Sequence, residues 1–187
     1  MNPGIYPNIP FTDYLKIDAV SNSYLGRLAE CPAAAKIPME DTPTLLFGRA
    51  VHKYVLEGPE AFGESFVVSP ELDKRTKAGK EEWAAFQNAN VGRDIVTKED
   101  LDNIAAIRAA VHAHPFAAML LDGISTEQTI VWRDEEHDLL CKGRIDILPD
   151  PQKRAIIDLK SSKNASEEAF QRSIVSYGYH RQAAFYM

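Results

Sequence analysis

The segment from Gly143 to Lys160 constrains the fold more than any other part of the chain. It reads GRIDILPDPQKRAIIDLK: two apolar runs separated by a turn sequence, with Asp146 in the first run and Asp158 and Lys160 ending the second. Residues two apart on a strand point to the same face, so Asp158 and Lys160 share a face, and Asp146 can lie opposite them on the neighbouring strand. Because buried charges are costly unless they are paired, we expect these side chains to form a site.

Two carboxylates that converge on one point form a binding place for a hard divalent cation. A lysine ammonium beside them can hold and polarise water, or stabilise developing negative charge. Taken alone, Asp158 and Lys160 have a simpler interpretation as a surface ion pair, since D-x-K arises easily by chance. The apolar residues around them, Ile156, Ile157 and Leu159, favour a buried strand instead. The pattern therefore indicates metal-assisted hydrolysis of a phosphodiester.

Length and composition narrow the class of protein. A chain of 187 residues suits one domain with a substantial core, so we expect a single domain over 1–187. The sequence has no apolar run long enough for a membrane span and no secretory leader at its start. Cys31 and Cys141 are too few for a disulfide framework, which predicts a cytoplasmic protein. The chain ends at Met187 within a helical pattern, which is typical of a C-terminally truncated domain.

The charge of the chain does not exclude a nucleic-acid partner. The formal net charge is −6, which argues against a protein that binds DNA through overall positive charge. Phosphate contacts depend on local patches, however, and basic residues cluster in 74–80 and recur from 160 to 181. Carboxylates gathered to hold a metal also make a protein of this kind acidic.

Hydrophobic periodicity predicts helices first, then a sheet, then helices again. The proline-rich segment 1–20 is predicted to be irregular. Helices are predicted over 21–36 with an interruption near Cys31–Pro32, over 44–57, 76–90, 98–112 and 115–121, and from 166 to 187 with a break at 177–179. Short extended pieces are predicted at 66–68 and 95–96. Three strands, Thr126–Arg133, Leu139–Leu148 and Arg154–Leu159, are predicted to form an antiparallel meander through the turns DEEHD and PDPQ.

Two further motifs lie far from the meander in sequence. His52 stands in Phe47-Gly48-Arg49-Ala50-Val51-His52 on a predicted helix, where a lone histidine is more often a hydrogen-bonded core or surface residue than a ligand. Gln182 and Tyr186 are four residues apart and therefore share one helical face, which simple aromatic packing could also explain.

Taken together in this order, GxxxH, GRxD, DLKS and QxxxY resemble the RecB-like branch of the PD-(D/E)XK nuclease superfamily. The resemblance is strongest to nuclease domains of the exonuclease VIII type, and it covers most of the chain. It includes LLFGRAVHKYVLEGPEAF, RTKAGKEEW, LLCKGRIDIL and YGYHRQAAFY. The fold that it implies is α/β: a restriction-endonuclease-like core, with a central mixed sheet built on the antiparallel meander and flanked by helices.

The resemblance implies a catalytic and metal-binding role for five residues. Asp146 corresponds to the first acidic metal ligand, and Asp158 to the second, with Asp in place of the more frequent Glu. Lys160 corresponds to the lysine beside the attacking water. His52 corresponds to an additional metal ligand from an N-terminal helix, and the backbone carbonyl of Leu159 completes the implied ligand set.

Supporting roles are implied for other positions. Gln182 and Tyr186 correspond to the motif that steadies the site and meets the DNA backbone, and Arg49 and Ser161 are further candidates to support or contact DNA. Ser161 replaces the Thr that often follows the lysine. Glu127, at the start of the first meander strand, is a secondary candidate, because related proteins often carry Glu there.

The cofactor that the resemblance implies is Mg²⁺, with Mn²⁺ as a substitute. Some nucleases of this branch hold an iron–sulfur cluster with four cysteines. Cys31 stands where the first of them would be, but the other three are missing, so no cluster is expected in this chain.

The implied function is a metal-dependent exonuclease that resects double-stranded DNA ends, in the 5′→3′ direction, in recombination and repair of the phage or prophage type. The implied partners are double-stranded DNA ends and a single-strand annealing protein; a homo-oligomer stays open, and no membrane is expected. Two alternatives remain: a structure-selective endonuclease of the same fold, and an inactive DNA-binding or accessory module.

Overall fold

The computed structural model describes residues 1–37, 40–122, 124–148 and 155–187. Contacts between residues divide the chain into two compact units: unit 1 comprises Met1–Glu40 and Gly123–Met187, and unit 2 comprises Asp41–Asp122. The division into units does not test the single domain expected over 1–187, which stays a prediction.

The chain forms short strands and helices in the following order. Unit 1 begins with β1 (Gly4–Tyr6), α1 (Phe11–Lys16), α2 (Asn22–Glu30) and a 3₁₀ turn (Ala34–Lys36). Unit 2 contains α3 (Pro43–His52), a π-helical turn (Lys53–Glu57), α4 (Pro59–Ser65), β2 (Phe66–Val68), α5 (Lys77–Ala89), β3 (Asp94–Val96), α6 (Lys98–Ala113) and α7 (Pro115–Leu120). Unit 1 resumes with β4 (Ser125–Asp134), β5 (Leu139–Leu148), α8 (Glu167–Ser176) and α9 (Tyr179–Tyr186).

The sheet of unit 1 has the strand order β1-β4-β5, and both strand pairs are antiparallel. The predicted hairpin is confirmed, and the bounds of β5 are those predicted. From Cys141 to Ile147 of β5, charged residues alternate with apolar residues or glycine. Ile145 and Ile147 are buried in the core, and Lys142 and Asp146 on the other face are buried as well. The mixed α/β composition, with an antiparallel sheet and helices, agrees with the predicted fold class.

The third strand of the predicted meander is wrong for the described residues. Of the described residues in this predicted strand, 155–159, Ile157 alone pairs with β5, through reciprocal backbone hydrogen bonds with Ile147 of 3.1 and 3.2 Å. The amide of Leu159 donates to the carboxylate of Asp146 (2.8 Å) rather than to a strand carbonyl, so the backbone leaves the ladder there. Ile156 is exposed, not buried as predicted. The predicted turn at 149–152 and the predicted strand start at Arg154 lie outside the described residues.

The mixed character of the unit 1 sheet comes from one isolated bridge. Val20 pairs in parallel with Cys141 on β5, whereas the three strands themselves are all antiparallel. Because a single bridge does not make a strand, the prediction of a central mixed sheet holds only in this limited sense among the described residues.

The prediction that residues 1–20 are irregular is wrong. The segment contains β1 and α1, and a long-range contact holds it in place: the buried ammonium of Lys142 donates to the carbonyls of Tyr14 (2.9 Å), Leu15 (3.3 Å) and Ile17 (2.7 Å). These carbonyls lie at the C-terminal end of α1, where a cation is favoured. Burial lowers the pKa of Lys142.

The helices of unit 1 begin where polar side chains can cap them. Ser21 accepts a hydrogen bond from the amide of Tyr24 at the start of α2, and Ser166 accepts one from Ala169 at the start of α8. Gly178 separates α8 from α9 with a φ of 66°, which confirms the predicted break.

Unit 2 is mainly helical, with β2 and β3 forming a two-stranded parallel sheet. Its core includes Val51, Val55 and Ile104, which are almost completely buried. The π-helical turn directly follows α3, and its backbone is held by Arg108, which donates to the carbonyls of Tyr54 (2.9 Å) and Val55 (2.6 Å). Among the described residues, no helix combines the length and the apolar character that crossing a membrane would need.

Candidate metal centre

Two carboxylates meet where β4 and β5 pair in unit 1. The ladder pairs Thr126 with Ile147 and Gln128 with Ile145, which places Glu127 opposite Asp146. Glu127 has a φ of 52°, so the backbone is distorted at this point of β4. A carboxylate oxygen of Glu127 lies within 4.8 Å of one of Asp146. The hairpin register therefore brings two candidate ligands together.

Arg144 holds Glu127 in this position. Its side chain donates from Nε to a carboxylate oxygen of Glu127 and from a terminal guanidinium nitrogen to the carbonyl of Ile9 (2.8 Å). The guanidinium also lies 5.9 Å from the ring centre of Phe11. The Arg144 and Glu127 side chains are only 19% and 23% exposed, so their ion pair is partly shielded from solvent.

Asp146 is connected to the D-x-K segment through the backbone. Its carboxylate is 8% exposed and accepts the amide of Leu159 at 2.8 Å. Leu159 stands between Asp158 and Lys160, so this hydrogen bond holds the D-x-K segment next to Asp146 on β5. An ionised carboxylate that accepts a backbone N–H forms a strong, directional contact.

Asp158, Lys160 and Gln182 form a closed set of contacts. Lys160 Nζ lies 2.5 Å from Asp158 Oδ2 and donates to Gln182 Oε1 at 3.0 Å. Gln182 in turn donates from Nε2 to Asp158 Oδ1 at 2.6 Å. The amide of Gln182 therefore uses both its donor and its acceptor to set the distance between the acid and the lysine.

Tyr186 lies one helical turn beyond Gln182 on α9. Burial raises the pKa of the Tyr186 phenol, and the charges of Asp158 and Asp146 act in the same direction, while hydrogen bonds to the Gln182 side chain and the Arg144 backbone lower it. Both carboxylates thus act on one hydroxyl, which stays neutral at ordinary pH.

Gly143 makes room for the ring of Tyr186. A Cβ atom at Gly143 would lie 2.6 Å from Tyr186 Cε1 and 3.2 Å from Ile130 Cγ1. Real Cβ atoms essentially never come as close to another atom as 2.6 Å, so the Tyr186 ring would have to shift if this strand position carried a side chain.

Three further sequence candidates are His52, Arg49 and Ser161. His52 is the last residue of α3 in unit 2, immediately before the π-helical turn, and its part in the site stays a prediction. Arg49, also on α3, forms ion pairs with Asp41 (2.7 Å) and Asp94 (3.1 Å), and these contacts raise its pKa. Ser161 is exposed.

The donor set of this centre suits a hard cation. Two oxygens bound to one cation lie at most twice the metal–oxygen distance apart, about 4 Å for Mg²⁺ and about 5 Å for Ca²⁺. The Glu127 and Asp146 oxygens lie within 4.8 Å of each other, a separation of the same order. The Leu159 amide is bonded to the Asp146 carboxylate, and Asp158 is the residue before Leu159. Gln182 holds the Asp158 carboxylate. Oxygen ligands from carboxylates and a carbonyl are typical of Mg²⁺, Mn²⁺ or Ca²⁺ rather than of thiophilic metals.

The sequence predicted Glu127 only as a secondary candidate, whereas the structure places it beside Asp146. Arg144 and Tyr179 were not predicted as site residues. Arg144 stands two residues before Asp146, so strand periodicity alone puts both on one face. The four-residue loop between paired Asp134 and Leu139 would have predicted Glu127 opposite Asp146. The contact of Tyr179 with Lys160 depends on how α9 packs, for which the sequence offers no local signal.

The hairpin carboxylate and the D-x-K segment are the features of a PD-(D/E)XK-like domain, and the comparison with protein families agrees. Residues 21–187 match the family described as a PDDEXK-like domain of unknown function (DUF3799). The match covers most of the chain, so the chain belongs to this family. It supports a nuclease-type function and binding of a divalent metal. A comparison with curated proteins found no match.

Proposed function

We propose that this protein is a divalent-metal-dependent deoxyribonuclease of the exonuclease VIII type, which degrades double-stranded DNA from its ends, in the 5′→3′ direction, in phage-type recombination. The observation that carries the proposal is the contact chain from Glu127 through Asp146 and Leu159 to Lys160. It joins two carboxylates, whose oxygens lie within 4.8 Å of each other, to a lysine whose ammonium is held by Asp158. Membership of the PDDEXK-like family supports the same chemistry.

In this proposal Asp146, Asp158 and the Leu159 carbonyl hold Mg²⁺, with Mn²⁺ as a substitute. Glu127 joins them as a further oxygen ligand, and His52 is proposed as a nitrogen ligand on the strength of the sequence resemblance. When bound, the cation would neutralise charge on the scissile phosphate and lower the pKa of a bound water.

Lys160 orients the attacking water and stabilises negative charge that develops on the phosphate oxygens. Its ammonium is held in advance by Asp158 and Gln182, so little reorganisation is needed as the charge develops. Gln182 keeps the acid and the lysine at a constant separation. The Tyr186 hydroxyl, which stays neutral because its pKa is raised, can donate to a phosphate oxygen without adding repulsive charge.

Ser161 and Arg49 are also proposed to contact DNA, and the two side chains differ in whether they must first break an existing ion pair. Ser161 is exposed and follows the lysine directly, so its hydroxyl can reach a phosphate. Arg49 would first have to give up its ion pairs with Asp41 and Asp94. A single-strand annealing protein is the partner proposed to receive the resected strand.

The test uses one linear duplex, labelled in separate preparations at its 5′ ends and at its 3′ ends, together with a covalently closed circle of the same sequence. With Mg²⁺, we expect mononucleotides or short products from the linear duplex, early loss of the 5′ label, and an intact circle. A chelator should stop the reaction, as should Asp158→Ala. Cleavage of the circle would instead indicate an endonuclease, and binding of DNA without any release of nucleotides would indicate an accessory module.

A further inference from the structure

An aromatic ladder begins at the proposed catalytic lysine and reaches the solvent. Lys160 Nζ lies 4.8 Å from the ring centre of Tyr179, as in a cation–π contact. Tyr179 stacks on Tyr177, with 5.7 Å between ring centres and 28° between ring planes. Phe170 flanks Tyr179 at 6.3 Å. We call Tyr179 and Tyr177 the aromatic ladder; it connects Lys160 to the surface at the α8–α9 junction.

The outer ring of the ladder is exposed, stacks on Tyr179 and stands on a hydrogen-bonded backbone. Tyr177 is 68% exposed, whereas Tyr179 is half-buried and burial raises its pKa. The backbone at Tyr177 is held by a hydrogen bond from its amide to the carbonyl of Ser173 (2.9 Å), and the following Gly178 donates to Val175 (3.2 Å). An exposed aromatic ring that is connected to the proposed catalytic lysine through a second ring is suited to binding rather than to core packing.

We propose that Tyr177 is a stacking platform for an unpaired base of a DNA strand whose phosphate lies at Lys160. This inference rests on the proposed function for the identity of the phosphate site. Every nucleobase has a π-face, so stacking on tyrosine tolerates any sequence. Lys160 supplies the positive charge that draws the backbone of the same strand towards the ladder.

The platform selects a class of substrate. Inside a duplex both faces of a base are covered by its neighbours, whereas a base at a frayed end or in a single strand has a free face. Stacking on Tyr177 would therefore favour strand ends and single-stranded segments over internal duplex positions. The exposed ring thus provides a physical reason for action at DNA ends rather than within a duplex.

The experiment is a binding titration with single-stranded oligonucleotides that carry one 2-aminopurine at the first, second, third or fourth position from an end, in a chelator so that no cleavage occurs. Stacking on an aromatic ring quenches the fluorescence of this base. We expect the wild-type protein to quench the probe at one or two of these positions. Tyr177→Phe should keep the effect, since the ring remains.

Tyr177→Ala should lose the quenching and bind the oligonucleotide roughly 5- to 150-fold more weakly, the range for one base–aromatic stack. Phe116→Ala is the matched control, because Phe116 is 61% exposed but belongs to α7 of unit 2 and is not part of the ladder; it should bind like the wild type. Equal quenching and affinity for Tyr177→Ala and wild type would overturn the inference, as would a wild-type protein that does not bind the probe.

Failure of this inference can be told apart from failure of the proposed function. Quenching is measured without metal and without turnover, so Tyr177-dependent quenching by a protein that never releases nucleotides would support the platform and contradict the nuclease proposal. Metal-dependent cleavage by the wild type, together with equal quenching by Tyr177→Ala and the wild type, would support the nuclease proposal and contradict the platform.

Discussion

The two halves of the candidate centre are held by different means. Glu127 and Asp146 stand on paired strands, where the register of the antiparallel ladder on either side of them sets their separation. Asp158 and Lys160 follow the last bridge to β5, and side-chain bonds to Gln182 on α9 hold them instead. The hairpin half should therefore resist changes elsewhere, whereas the D-x-K half should depend on the docking of α9.

The largest expected effect compares the two acids. Asp146→Ala and Asp158→Ala should each abolish detectable cleavage, because each removes a proposed metal ligand. Asp146→Ala also removes the acceptor for the Leu159 amide, which should lower the free energy of unfolding by about 1–3 kcal/mol. Asp158→Ala should cost less stability, since Lys160 keeps Gln182 as a partner. Nuclease assays and urea unfolding measure the two effects.

Asp138→Ala is the control for both acids. Asp138 lies in the hairpin loop, is exposed and pairs with Arg133 at 2.6 Å, away from the centre. Its removal should leave cleavage unchanged. Normal cleavage by Asp146→Ala would remove the hairpin half from the site.

The next effect concerns the lysine. Lys160→Ala should lower the rate constant for cleavage about 100- to 1,000-fold, as expected for loss of one preorganised electrostatic group. Mn²⁺ affinity should be retained or rise slightly, because a cation beside Asp158 is removed. Single-turnover rates and Mn²⁺ titration by calorimetry separate the two. A near-normal rate would show that another residue positions the water.

Arg144 allows a direct test of the hairpin half. Arg144→Lys keeps the charge but loses the fork that contacts both Glu127 and the Ile9 carbonyl, so Mn²⁺ affinity should fall about 10- to 100-fold. In a Glu127→Gln background the same change should have little further effect on affinity. Calorimetric titration of the four proteins of this cycle measures the coupling between the two residues.

Arg133→Lys is the matched control, since Arg133 is on the same hairpin but is 53% exposed; its Mn²⁺ affinity should not change. Additive effects of Arg144→Lys and Glu127→Gln would contradict the idea that Arg144 acts through Glu127.

A substitution at Gln182 tests the D-x-K half of the centre, Asp158 and Lys160. Gln182→Ala removes the contacts to Asp158 and Lys160, so cleavage should fall about 10-fold, with Mn²⁺ affinity changed less than by Asp158→Ala. If Gln182 only packs α9, the melting temperature should drop while the cleavage rate stays the same. Thermal melts, Mn²⁺ titration and single-turnover assays on one preparation distinguish these outcomes.

The smallest expected effect on catalysis is at Gly143. Gly143→Ala places a methyl group against the Tyr186 ring, so the free energy of unfolding should fall by about 1–3 kcal/mol, with a cleavage rate reduced only a few-fold. Gly63→Ala on α4 is the control, because its Cβ would meet no atom within 4 Å and alanine favours a helix. A stable Gly143→Ala protein would show that α9 can shift, which would weaken the contrast between the two halves.

The sequence by itself determined those features of the fold that depend on a few neighbouring residues. The hairpin of β4 and β5, the capping of α2 by Ser21 and the break at Gly178 follow from strand alternation, capping residues and glycine, which act over a few residues. The proximity of Asp158 to Lys160 follows likewise from their spacing along an extended backbone.

Only the tertiary structure decided the rest. The backbone leaves the ladder after Ile157, because Leu159 finds a better acceptor in the Asp146 carboxylate than in the neighbouring strand. The first residues become ordered because Lys142, more than a hundred positions later, binds the end of α1. Glu127 meets Asp146 through strand register, and Lys160 meets Gln182 and Tyr179 through the packing of α9. Apart from the Glu127–Asp146 pair of the hairpin, these contacts join parts of the chain that are distant in sequence or packed by α9, and local propensity carries no information about such partners.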